Sequence, residues 1–137
     1  MALGRPLGMV TDALQSAWEL FTSQNISAGQ ATVLLARAEL ALARGNAIQA
    51  ATLAREAATT FSASMLTTGK TQADVIRAYS SLELGDEDSA ASLFASALDT
   101  ARTLHLLSID VRCQVGLGLV AKARGDVRMA KAAFESA

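Results

Sequence analysis

The sequence predicts an all-α chain, a single α-solenoid of antiparallel helix pairs with about seven helices. Three observations predict it. Gly45, Gly85 and Gly125 stand 40 residues apart. Each opens the same small-residue pattern, GNAIQAATLAREA, GDEDSAASLFASA and GDVRMAKAAFESA, with an alanine five residues after the glycine and another seven further on. Runs of β-branched and aromatic residues with period-two alternation are absent, so nothing supports strands. A unit this short cannot bury its own apolar face, and its neighbours must stack on it.

The elements follow in order. Residues 6–22 form the first helix. Pro6 suits a first turn, where its missing N–H costs nothing, and Leu14, Ala17, Trp18 and Phe21 make a stripe at helical spacing. SQNISAGQ then reads as a turn ending at Gly29. A second helix spans 30–44 and stops at Gly45, since glycine tolerates the left-handed conformation and Arg44 favours the helix C-terminus. A third begins at once and covers 47–62. So short a link implies an antiparallel pair. MLTTGKT reads as a looser link, with Thr71 and Asp74 as a start signal close to a capping box. A fourth helix covers 72–84, a fifth 87–105, and a sixth, capped by Ser108, 109–124. Gly125 stops the sixth and Val127 begins a seventh.

The register also extends backwards. Phe21, Ala17 and Gly29 lie 40 residues before Phe61, Ala57 and Gly69. The chain therefore divides into a partial unit at 5–29 and units at about 30–69, 70–108 and 109–137, within one domain covering 1–137. Both ends fall inside repeats, which points to a segment of a longer chain. The residues expected to pack the repeats are Gly45, Ala50, Ala57, Gly85, Ala90, Phe94, Ala97, Gly125, Ala130 and Phe134. Small side chains at helix crossings let backbones approach to the short end of about 8–10 Å. Ala54 takes the place of Phe94 and Phe134 in the first full unit, which requires neighbours that compensate in volume.

These residues carry a resemblance. Gly85, Asp86, Ala90, Phe94 and Ala97, and again Gly125, Asp126, Ala130, Phe134 and Ala137, are similar to the tetratricopeptide (TPR) repeat pattern. Gly45, Asn46, Ala50 and Ala57 match it without the aromatic. The period is 40 instead of about 34 residues. Leu34, Asp74 and Gln114 stand where the family has a large aromatic. HEAT and armadillo repeats share the longer period, but the glycine-then-alanine spacing is the TPR one. The resemblance implies a right-handed solenoid whose first helices line a concave face. Long, alanine-rich units of this style resemble the helical-repeat regions of large bacterial LuxR-type ATP-binding transcriptional regulators. There the repeats lie between an ATPase and a DNA-binding module and act in effector sensing and self-association.

Composition narrows the partners. The chain carries 12 basic and 13 acidic side chains for a net charge of −1, and aromatics make up 4%. With neither a basic stripe nor stacking platforms, nucleic-acid binding by this segment is not expected. The longest apolar run is far short of the ~20 residues of a membrane span. The N-terminus lacks a signal-peptide core, and Cys113 is the one cysteine, so a cytoplasmic setting is expected. TTGKT at 67–71 resembles the end of a phosphate loop, but Ser64 stands where the first glycine belongs. His105 is the one histidine, which leaves only carboxylates as co-ligands for a metal. Neither metal nor cofactor is expected, and no catalytic dyad is present.

Carried over by position, the concave face would present Thr32 and Glu39, then Gln72 and Tyr79, then Arg112, Leu119 and Lys122. Tyr79 is a candidate interface anchor. Arg112 and Lys122 are candidate carboxylate ligands. The expected function is a non-catalytic protein-interaction or self-association module, the repeat region of a bacterial regulator. The alternative is an effector-sensing domain that takes a small molecule or peptide in the groove.

Overall fold

The computed structural model describes residues 5–125 and 127–136, with the side chains of 8–125, 131 and 133–136. Within these residues the chain forms seven helices and no strand: α1 (Arg5–Ser23), α2 (Ser27–Ala43), α3 (Ala47–Ala63), α4 (Thr67–Glu83), α5 (Glu87–Thr103), α6 (Leu107–Ala123) and α7 (Val127–Ser136). No described helix is long and apolar enough to cross a membrane.

From α2 onward the helices start at even 20-residue intervals, two to each 40-residue unit. α2 to α6 are each 17 residues long, and their starts are 20 residues apart. The five turns from α1 to α6 have the same backbone plan. The N–H of Gly45 donates to the Leu42 carbonyl and that of Asn46 to the Ala41 carbonyl, at 3.0 and 2.9 Å. Met65 and Leu66, and His105 and Leu106, repeat those bonds one turn later in each unit. This is the Schellman arrangement, which places a left-handed residue just past the helix end. Gly45, Gly85 and Gly125 fill that place at φ 80°, 84° and 79°. Asn25, Met65 and His105 fill it in the alternate turns, at φ 55°, 58° and 57°.

Several sequence boundaries move as a result. Gly29 and Gly69 are not turn residues; they lie inside α2 and α4. MLTTGKT is not a loose link, because Thr67 already begins α4. Thr71 does not cap a helix: its hydroxyl donates to the Thr67 carbonyl at 2.7 Å within α4. Ser108 lies inside α6, whose N-cap is Leu106. Side-chain caps occur after the glycine turns, where Asn46 accepts from the Gln49 N–H and Asp86 from the Ser89 N–H. The helices that follow Ile26, Leu66 and Leu106 have no side-chain cap.

Gly29 and Gly69 are needed for packing. A Cβ on Gly69 would stand 2.6 Å from Cδ1 of Phe61, and one on Gly29 would likewise meet the Phe21 ring. One unit later the pair is inverted: Ala101 and Ile109 replace Phe61 and Gly69, and both are buried in one cluster. The Ala54 mismatch is resolved the same way. Ala54 shares a cluster with Ile76, whereas Phe94 lies over Gly116, where Ile76 would fall in the next unit. Large and small residues exchange helices while the pair keeps filling the joint.

Each helix packs on the next in sequence. α2 also contacts α4, and α4 contacts α6, while α3 and α5 do not come together among the described residues. Of the residues expected to pack the repeats, Ala50, Ala57, Ala90, Phe94 and Ala97 are buried. Gly45, Gly85 and Gly125 form turns on the surface. Phe134 packs against Gly118 yet is 42% exposed. The side chain of Ala130, and Asp126 and Ala137, lie outside the described residues.

Candidate functional site

The contacts of α2 with α4 and of α4 with α6 gather three of the expected groove residues. The Arg112 guanidinium on α6 donates to the Glu39 carboxylate on α2 at 3.0 Å. It lies 5.7 Å from the centroid of the Tyr79 ring on α4. The Tyr79 hydroxyl donates to the Arg112 carbonyl at 2.8 Å. The other side of that ring joins the core, edge-on to Phe94 at 4.8 Å. Burial raises the Tyr79 pKa, with the Arg112 charge opposing the rise. Tyr79 thus ties units together, and Glu39 already occupies Arg112. A carboxylate ligand at Arg112 would have to share the guanidinium with Glu39.

The remaining groove residues stand apart from this cluster. Thr32 is exposed, and its hydroxyl donates to the Ala28 carbonyl. Gln72 and Leu119 are half-buried. Lys122 is exposed and forms no ion pair among the described residues.

The other side chains weighed from the sequence are placed as follows. His105 occupies the left-handed position of its turn and is exposed. No group of three His, Cys, Asp or Glu able to hold a metal occurs among the described residues. Cys113 is fully buried, and that burial first, then the Asp110 charge, pushes its thiol up to about 11 against the opposing Arg112 charge. A thiol so far from thiolate at neutral pH is a poor nucleophile. TTGKT forms the first turn of α4, so no loop is available to cradle phosphate.

One feature went unseen in the sequence. α3 and α5 stand apart with α4 beneath them, and the gap is a cleft of about 430 Å³ bordered by Arg55, Arg77, Ser81, Ser89 and Ser92. A second hollow continues from it along α3 and α4, past Thr59 and Ser62 to Lys70, and Arg55 and Arg77 border both. Asp74, nearly buried, is gripped by Lys70 at 2.7 Å and Arg77 at 3.0 Å. Arg55 has no ion pair or side-chain hydrogen bond among the described residues. Its equivalents 40 residues away are Gln15 and Ala95, so a cation that departs from the repeat was the available signal.

Comparison with protein-family models, with curated proteins and with solved structures gives no match to this chain.

Proposed function

We propose that the chain is a non-catalytic, TPR-like, right-handed α-solenoid of antiparallel helix pairs that works as a self-association module in the cytoplasm. The two-layer reading rests on the helix contacts: α2, α4 and α6 touch in series, while α3 and α5 are held apart. A stack of pairs with first helices inside and second helices outside has that pattern. Under the resemblance to LuxR-type regulators, such a module would link copies of a larger transcription factor.

Equivalent positions at the middle and the ends carry the self-association reading. Phe94 is fully buried, while Phe134 is 42% exposed. At the other end Val10 and Leu20 of α1 are 45% and 53% exposed, whereas Ala50 and Ala90, the equivalents of Val10, are fully buried and Thr60 and Thr100, those of Leu20, are half-buried. Internal joints cover such surfaces with the chain's own repeats, so a second copy offers matching chemistry. Contiguous apolar patches beyond a few hundred Å² mark association surfaces. Light scattering over a broad concentration range tests this. The natural chain is expected to gain mass with concentration, and Phe134→Ser and Leu20→Ser together to lower that mass. A monomeric mass throughout overturns the reading.

A further inference from the structure

A cation cluster borders the cleft between α3 and α5. It lies on the far side of α4 from Tyr79, since Arg77 and Ser81 are each two residues away, about 200° around a helix of 3.6 residues per turn. Arg55 and Arg77 stand where the two hollows meet, and Lys70 stands at one end. Among the residues bordering that half and their partners only Asp74 offsets them, and it is already paired with Lys70 and Arg77. Arg55 therefore keeps its full charge for a ligand. At the opposite end the cleft meets Asp86, so the potential runs from positive to negative along its length.

We propose that this cleft binds an extended acidic segment of a partner protein. Its length favours a peptide over a small anion. The wall on α3 runs from Ala51 to Ala63, which at 1.5 Å per residue is about 18 Å. An extended chain at about 3.3 Å per residue covers that with about five residues. Small side chains on the walls leave room for a backbone, and serine and threonine hydroxyls on both sides can bond its amides or carboxylates. Arginine forms paired, charge-assisted bonds with carboxylates. The charge gradient also sets direction: acidic residues lie over Arg55 and Lys70, and an uncharged or basic end lies beside Asp86. The site does not depend on self-association, because a single chain supplies all of it.

Fluorescence anisotropy with labelled hexaglutamate and hexaglutamine peptides tests the proposal on the whole chain. Hexaglutamate is expected to bind, more weakly as salt is raised, and hexaglutamine not to bind. Arg55→Glu is expected to weaken hexaglutamate binding by about tenfold or more. Arg44→Glu makes the same charge change on an exposed residue outside the cleft and is expected to leave binding unaltered. Arg55 is exposed and without partners, so its variant should melt like the natural chain, which circular dichroism checks. Equal binding of the two peptides, equal loss in both variants, no loss in Arg55→Glu, or inorganic phosphate competing as well as hexaglutamate would each overturn it.

Discussion

Asn25, Met65 and His105 hold a backbone conformation that side chains with a Cβ disfavour. The alternate turns solve the same geometry with glycine, so the strain belongs to these residues and not to the fold. Met65 is 88% exposed and contributes little packing in return. Met65→Gly removes a penalty of about 1–2 kcal/mol, offset by the freer unfolded chain at about 0.4–1 kcal/mol. The expected result is a net gain of up to about 1.6 kcal/mol, read as a higher urea midpoint. A lower midpoint would show that the side chain contributes more than its exposure implies. At this scale the sequence was half legible. Glycine turns announce themselves, whereas Met65 carries no turn signal and His105 only a weak one. Gly29 and Gly69 misled in the opposite sense, because a glycine that makes room for a ring looks identical to one that ends a helix.

Between elements, matched pairs of large and small residues set the joints. Phe61 with Gly69 and Ala101 with Ile109 are two solutions to one joint. The second can therefore be written into the first. Phe61→Ala alone should cost about 3–5 kcal/mol, the usual loss for a buried phenylalanine. Gly69→Ile alone drives a side chain into the ring and should also destabilise. Together they reproduce the Ala101–Ile109 joint, and the double variant should be more stable than Phe61→Ala alone. A urea double-mutant cycle reads the coupling, and strict additivity would mean that the two joints differ in backbone spacing. The helices themselves were legible because their apolar spacing is local. Their 20-residue interval was hidden, since only alternate turns carry glycine. The same limit governs the candidate sites. Register arithmetic put Glu39, Tyr79 and Arg112 on first helices, but Arg112 occupies the register of Thr32 and Gln72, and its reach to Glu39 depends on how units lean together. The cleft is a gap between α3 and α5, and no local pattern encodes a gap.

For the whole molecule, stability should grade from the ends to the middle, as in a one-dimensional array. α1 contacts only α2, and none of its described side chains is fully buried. α4 touches α2, α3, α5 and α6, and it buries seven residues, including Asp74 and Ser80. Amide exchange is expected to be fastest in α1 and slowest in α4. Uniform protection along the chain would instead mean that the units open as one. The large–small pairs also determine where such a chain can be cut and rejoined. Phe21 with Gly29, Ala54 with Ile76, Phe61 with Gly69, Phe94 with Gly116 and Ala101 with Ile109 all span the connections without glycine. A break at Asn25, Met65 or His105 separates partners that were fitted to each other. Across the connections at Gly45 and Gly85 the first helices present Ala38 and Ala78, the same residue at the same depth. Excising residues 46–85 would bring Phe94 onto Ala38 in place of Ala78, but it would also set Glu39 against that ring in place of Tyr79. Neither kind of turn is thus a free seam: a break at a non-glycine turn leaves a hole or a collision, and one at Gly85 or Gly125 parts Tyr79 from Phe94 or Gly118 from Phe134.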